Sequence, residues 1–362
     1  MSKPLLTIDD YEEAARRTLP LTAFDYFRSG ANEEQTLLGN RKSFRNYEIW
    51  PRVLVDVSEV DTSVTICGTG IAFPILVAPT AYQKMAHPDG ESGAARGAAA
   101  AGTIYTLSTL ATTTIEDVAA GSIGPKWFQL YVHTDRGLTK ALVERAQKAG
   151  YLAIVLTVDA PVLGRRLSDE RNRFVLPEGL SMVNMGELAD DISSAQEGSA
   201  LTSYVATRHD ATLQWKDIEW LRSITSLKIL IKGILRPDDA LRAVERGVDG
   251  IVVSNHGGRQ LDSAPATIDA LPGVADAVSG RCEVLLDSGI RFGTDVLKAI
   301  ALGAKAVLVG RPAVWGLAVG GADGVQRILE MLRDELVTAM ALSGCATISS
   351  IDPSLVRPAA RA

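Results

Sequence analysis

The stretch Ile251-Val-Val-Ser254-Asn255-His256-Gly257-Gly258-Arg259-Gln260-Leu261-Asp262 ends an apolar, β-branched run in a base, two glycines and a guanidinium. A histidine takes a proton near neutral pH, a nearby arginine clamps a carboxylate in a bidentate pair, and glycines let the backbone turn tightly between them. The set suggests proton abstraction from a carboxylate substrate, delivered from a strand end. In an arbitrary sequence a His-Gly-Gly turn serves equally as a capped loop. Of the histidines His87, His133, His209 and His256, only His256 is flanked by glycine and followed by an arginine, which favours a chemical role.

Such a strand end needs a scaffold, and the chain supplies a regular beat of short apolar runs and Ala-rich helical stretches, the pattern of βα units. The strands are read at Ile75 to Ala78, Thr103 to Leu107, Trp127 to Tyr131, Ala153 to Thr157, Lys228 to Lys232, Gly250 to Ser254, Glu283 to Asp287 and Lys305 to Val309. Helices fall between them at Leu138 to Ala149, Pro237 to Arg246 and Thr294 to Ala301, with Gly150, Gly247 and Gly303 placed to stop them. Eight repeats predict an α/β fold, a (β/α)8 TIM barrel over residues 71–345 within one domain spanning 1–362. Ala78-Pro-Thr-Ala81 lacks the Gly-x-Gly-x-x-Gly of an open dinucleotide-binding sheet. Residues 1–70 read as a helical preface that caps or flanks the barrel, with helices opening at Thr7, Pro20 and Asn32-Glu-Glu34. The longest interruption, Ala160 to Leu213, follows strand 4, and its stretch 179–203 is expected to be a mobile active-site loop.

In a barrel, reacting groups come from the C-terminal strand ends. Here those ends give Pro79-Thr80, Ser108-Thr109, Gln129 with Tyr131, Thr157 with Asp159, Lys232, Ser254 with His256 and Arg259, Asp287-Ser288-Gly289, and Gly310-Arg311. One polar strand end is usually a helix cap; the whole set at one mouth points to a site. Gly289-Ile-Arg291 and Gly310-Arg311-Pro312 follow strands seven and eight, the usual barrel phosphate position, and suggest a phosphorylated ligand. Lys232 leaves an apolar strand for the mouth, where its charge needs an anionic partner. It fits a Schiff base or charge stabilisation on a reduced cofactor, and in isolation it fits a snorkelling rim lysine as well.

The chain has 362 residues, 46% hydrophobic and 22% charged, with net charge -6. That acidic balance argues against nucleic acid, and no apolar run approaches the roughly 20 residues of a membrane helix. Cys67, Cys282 and Cys345 are widely spaced, which suggests neither disulfides nor a metal site. With no signal-like terminus, a cytoplasmic location is expected.

These residues carry a resemblance. Ser254-Asn-His-Gly-Gly-Arg-Gln-Leu-Asp262 resembles the active-site signature of the FMN-dependent L-2-hydroxy acid oxidase and dehydrogenase family. The likeness extends through Phe24-Asp-Tyr-Phe-Arg-Ser-Gly-Ala31, Pro51-Arg-Val-Leu-Val-Asp56, Ala78-Pro-Thr-Ala81, Trp127-Phe-Gln-Leu-Tyr131, Thr157-Val-Asp159, Leu163-Gly-Arg-Arg166 and Leu176-Pro177. It implies FMN held by Pro79, Thr80, Ala81, Ser108, Gln129, Thr157, Lys232 and Ser254, with the phosphate at Asp287, Gly289, Arg291, Gly310 and Arg311. It implies His256 as the base oriented by Asp159, with Tyr131 beside them. It also implies that Arg259, Tyr26 and Tyr131 grip the substrate carboxylate and hydroxyl, with Arg166 as a second positive charge. Lys232 would then stabilise charge on the flavin.

The activity so implied is oxidation of an L-2-hydroxy acid to the 2-oxo acid, with O2 reduced to H2O2, by a homotetramer. Leu110 stands where glycolate-oxidising members usually carry tryptophan, so L-lactate is the expected substrate, although Thr80 and Val205 are glycolate-type choices and Tyr82 is a further variation. Glycolate or a longer 2-hydroxy acid is the alternative, as is a dehydrogenase passing electrons to a quinone or cytochrome. From another class, a flavin-free phosphate-binding barrel lyase or isomerase would use Lys232 covalently. Two departures stand out: Ser288 replaces the usual glycine of Asp-Gly-Gly-x-Arg, which predicts a strained or less close backbone, and Phe292 replaces a common basic residue.

Overall fold

Eight parallel strands close on themselves in sequence order in a computed structural model that describes residues 4–185 and 208–359. They are β1 Ile75–Val77, β2 Tyr105–Leu107, β3 Lys126–Leu130, β4 Ala153–Thr157, β5 Lys228–Ile234, β6 Gly250–Val253, β7 Glu283–Asp287 and β8 Ala306–Val309. β8 closes the ring on β1 with Val307 opposite Ile75. This is the expected (β/α)8 barrel, with strand ends shifted by one or two residues.

The strands read as continuous apolar runs because both faces are buried. Outward residues such as Phe128, Ile154, Ile231 and Leu286 pack under the helical layer. Inward residues Leu76, Trp127, Val155, Leu230, Val252, Leu285 and Leu308 fill the lumen. Two residues further along, the inward positions change character together, to Gln129, Thr157, Lys232, Ser254 and Asp287. The period of two thus lays a polar floor across the mouth above an apolar plug.

The preface departs from an all-helical reading. It holds α1 Ile8–Thr18, α2 Leu21–Arg28 and α3 Gln35–Ser43, but then strand Tyr47–Ile49, antiparallel to Val356–Pro358, and hairpin Val64–Ile66 with Thr69–Ile71. The hairpin turns at Cys67 and Gly68, both with positive φ, and sends Ile66 and Ile71 into the lumen cluster as its lower stopper. α3 begins later than expected because Asn32 (φ 45) and Glu34 (φ 63) are left-handed, a conformation no helix accommodates. α1 starts as expected, with Thr7 and Asp10 forming a reciprocal cap.

Among the described residues the remaining helices are α4 Gly90–Ala101, α5 Ile115–Ala120, α6 Arg136–Lys148, α7 Leu167–Arg171, α8 Asp217–Ser223, α9 Pro237–Glu245, α10 Thr267–Val278, α11 Gly293–Ala301 and α12 Arg311–Leu342, the last broken at Gly320–Gly321. Gly150, Gly247 and Gly303 have the positive φ expected of helix stops. The interruption after β4 contains α7 and a short 3-10 turn, Val183–Met185; residues 186–203 of the expected mobile loop, and Val205, lie outside the described residues. Among the described residues no helix is long and apolar enough to cross a membrane.

α3 matters because it docks on the loop after β6. Asn40 and Asn255 exchange amide hydrogen bonds at 2.9 and 2.7 Å, and Asp262 accepts from the Thr36 and Glu33 amides at the α3 start. Gly258 makes this approach possible: at φ 73, a Cβ there would stand 2.5 Å from the Leu37 nitrogen. Left-handed strain and overlap together predict that Gly258→Ala destabilises the protein by about 3 kcal/mol. Urea unfolding of the variant against the parent measures this, and an unchanged midpoint would contradict the docking.

Candidate active site

Every candidate residue but Asp159 and Ser254 lines one cavity over the polar floor, and those two stand directly behind it, bonded to His256 and Lys232. On the floor, the Gln129 amide is fixed by donating to Thr157 Oγ1 (3.0 Å) and accepting from the Thr109 amide (3.0 Å). Beside it, Lys232 Nζ lies 3.2 Å from Asp287 Oδ2 and donates to Ser254 Oγ at 2.9 Å. Ser254 Oγ donates to the same carboxylate at 2.9 Å and accepts from the His256 amide at 3.0 Å. Burial alone would depress the Lys232 pKa, but Asp287 and Asp159 outweigh it and hold the pKa above its ordinary value. A permanently protonated lysine is a poor amine nucleophile, so this geometry favours charge stabilisation over a Schiff base.

On the wall, Asp159 Oδ1 accepts from His256 Nδ1 at 2.8 Å, which leaves Nε2 as the lone-pair nitrogen, 3.5 Å from the Tyr131 hydroxyl. Burial pushes the His256 pKa down, and Asp159 only partly opposes it. Burial would raise the Asp159 pKa, but His256 and Lys232 prevail and keep it low, so the carboxylate is ionised beside a neutral imidazole. A β-bulge at Gly233 allows this packing, since a Cβ there would stand 2.7 Å from that of Asp159.

The preface supplies the opposite wall. Carbonyls at the C-terminal end of α2 accept from both mouth arginines: Arg259 Nη1 donates to Tyr26 O (2.6 Å) and Ser29 O (2.8 Å), and Arg311 donates to Phe27 O, Ser29 O and Gly257 O. The C-terminal end of a helix suits cations. Burial, with Arg166 nearby, lowers the Arg259 pKa to about 10, still charged at neutral pH. Both guanidiniums approach the Tyr26 ring, Arg259 at 5.0 Å and Arg166 at 6.0 Å. Tyr26 stacks on Phe174, and Tyr82 lies behind it with its hydroxyl on Met182 Sδ.

At the far end, Gly289, Arg291, Gly310 and Arg311 meet where α12 begins, with Pro79, Thr80, Ala81 and Ser108 completing the rim. A phosphorylated cofactor fits this end on its own terms. A Cβ on Gly310 would project into the cavity and approach protein no closer than 3.8 Å, and buried Arg291 Nε has no partner among the described residues. Buried Arg166 Nε is likewise without one, so the cation side of the cavity keeps capacity for a ligand.

Sequence reasoning passed over several contributors. Gln260 locks the β4 loop, donating to Asp159 O and Val162 O and accepting from the Gly164 amide; it sat inside the quoted signature without an assigned task. His209 lines the cavity with its ring 4.5 Å from that of Tyr131, and burial lowers its pKa to about 4, so it is neutral. The signal was its scarcity as a residue type, masked by its distance from any strand. The α2 carbonyls carry no side-chain signal at all.

Comparison with known proteins agrees with this geometry. Residues 15–358 match the family model described as FMN-dependent dehydrogenase. The chain is 52% identical to human 2-hydroxyacid oxidase 1, covering 98% of this chain and 96% of the relative. It is 51% identical to L-lactate oxidase of Nostoc sp. (98% and 99% covered) and to glycolate oxidase 3 of Arabidopsis thaliana (98% and 96%). The crystal structure of mandelate oxidase with (S)-4-hydroxymandelic acid superposes with a TM-score of 0.92 at 44% identity, covering 98% of each chain.

The buried Lys232–Asp287 pair yields a stability test. Lys232→Met leaves a carboxylate in the lumen without its cation, an expected loss of about 3 kcal/mol. Adding Asp287→Asn should restore part of that loss in urea unfolding; strictly additive losses would show the two are not coupled.

Proposed function

The chain belongs to the FMN-dependent dehydrogenase family, and from that footing we propose that it oxidises an L-2-hydroxy acid, preferably L-lactate, to the 2-oxo acid while O2 becomes H2O2. FMN is the family's cofactor, and the coarser activity, that of the 2-hydroxy acid oxidases, comes with membership. Pro79, Thr80, Ala81, Ser108, Gln129, Thr157, Lys232 and Ser254 would hold its ring and ribityl portions, and Asp287, Gly289, Arg291, Gly310 and Arg311 its ribityl phosphate. When bound, FMN accepts the two electrons of the oxidation and hands them to O2. The expectations of a cytoplasmic location and a homotetramer belong to this same proposal.

The observation that carries the mechanism is the Asp159–His256 hydrogen bond, which fixes the neutral tautomer whose free nitrogen faces the cavity. Arg259 and Arg166 supply positive charge for the substrate carboxylate, with Tyr26 between them. So anchored, the substrate presents its hydroxyl and its reacting carbon to Tyr131 and His256; His256 Nε2 takes one of the two hydrogens as a proton, and in net the second hydrogen and the electron pair would pass to FMN. Ionised Asp159 then stabilises the imidazolium, so the proton is held without moving the ring. Lys232, kept charged by Asp287, would offer a fixed cation to the negative charge that a bound flavin ring gains on reduction.

His256→Ala should lower kcat by about 10² to 10⁴; substantial remaining turnover would sink the base assignment. The base works only when neutral, and burial depresses its pKa. The sign therefore runs toward loss of kcat/KM as pH falls, with the limb centred below 6.5, the ordinary histidine value. A limb above 6.5 in the pH profile would count against it.

Substrate preference rests on Leu110, buried in the cavity wall. Its modest volume leaves room for the lactate methyl, and a methyl-sized contact is worth about 10- to 200-fold in discrimination. L-lactate should exceed glycolate in kcat/KM by about tenfold, and Leu110→Trp should erase the difference. Comparable efficiency on both acids in the parent protein would refute the order. Anaerobic reduction by L-lactate followed by air tests the acceptor: slow reoxidation would indicate a dehydrogenase.

A further inference from the structure

Among the described residues, Ser288 and His256 are the non-glycine positions of the cavity lining with a left-handed backbone, at φ 78 and φ 59. Gly289, the neighbour of Ser288, is also left-handed, so the chain turns here in a way that disfavours any L side chain. A strained position that keeps its side chain invites the question of what the side chain does.

The hydroxyl has two partners. It donates to Asp287 Oδ1 at 2.7 Å and accepts from the Gly257 amide at 3.0 Å. Ser254 makes the matching pair of bonds on the other side, donating to Asp287 Oδ2 and accepting from the His256 amide. Two successive amides of the base loop, His256 and Gly257, thus rest on two hydroxyls that converge on both oxygens of one carboxylate. Arg311 Nη1 ties the Gly257 carbonyl to the phosphate end of the cavity.

We propose that Ser288 is a positioning residue, its hydroxyl clamping the base loop to Asp287 so that His256 and the Lys232–Asp287 pair are held as one rigid unit against the bound flavin. The role of His256 rests on the function proposed above; the clamp on Asp287 does not. Loss of the hydroxyl frees the carboxylate to rotate and removes one of the two props under the base loop. Loss of the side chain as a whole also relieves the backbone, so alanine and glycine separate the two effects.

The test compares Ser288→Ala and Ser288→Gly with the parent. FMN affinity is read by fluorescence quenching on titrating the apoprotein, bound-flavin absorbance by the position of its bands, stability by thermal melting, and turnover as separate kcat and KM. Both variants should bind FMN about tenfold more weakly, the worth of a hydrogen bond to a charged group. Both should shift the flavin bands and lose kcat about tenfold with KM nearly unchanged. Ser288→Gly, suited to φ 78, should melt above Ser288→Ala. If Ser288→Gly matches the parent in FMN affinity, spectrum and kcat, the serine is only a tolerated side chain and the proposal falls. Should His256→Ala keep its turnover, the base reading falls alone, because the affinity and spectrum of the Ser288 variants report on the clamp independently.

Discussion

A lysine and an aspartate face each other on the polar floor above a plug that is largely leucine, valine and tryptophan, and the arrangement of the site follows from satisfying that pair. A charge in so apolar a place survives only when paired and hydrogen-bonded. Lys232 has Asp287 and Ser254, while Asp287 has Lys232, Ser254 and Ser288. Because Ser254 and Ser288 also receive amides from the next loop, the same bonds that neutralise the floor place the backbone of His256. The position of the imidazole is therefore set from below by electrostatic necessity, and its rotation is set from the side by Asp159.

The mouth is built on a second economy of charge. Arg166, Arg259, Arg291 and Arg311 crowd one cavity, and burial, reinforced by the neighbouring cations, lowers the pKa of Arg259 and of Arg311. Backbone carbonyls at the end of α2 offset part of that repulsion without neutralising it, as an ionised carboxylate would. The cavity thereby keeps a net positive lining, as the proposed carboxylate and phosphate ligands require. This is why the preface, remote in sequence from every barrel strand, contributes to the chemistry.

Much of this was legible in the sequence wherever the cause was local. Runs such as Ala153-Ile-Val-Leu-Thr157 announce strands buried on both faces, and the coincidence of Gln129, Thr157, Lys232, Ser254 and Asp287 at strand ends announced a shared level. Features settled by distant partners stayed hidden. The hairpin at Cys67-Gly68 is too short to show a period, Tyr47–Ile49 finds its partner some three hundred residues away, and α3 starts late because of backbone conformations at Asn32 and Glu34. Ser288 was legible as an oddity in a strained turn, but of its two partners only Asp287 is its neighbour in sequence, and the fold alone brings Gly257 to it.

The pairing of Tyr47–Ile49 with Val356–Pro358 also has a temporal side. Trp50 and Ala359 extend the same seam, through Leu355 and Asn46. On a ribosome, residues 75–309 can complete the barrel while this seam still lacks one side, because the chain emerges from its N-terminal end. The segment carrying α2 and α3 is held separately, by the loop after β6 and by the two mouth arginines. The seam therefore closes after the barrel, Val356–Pro358 being the later of its two strands to be made.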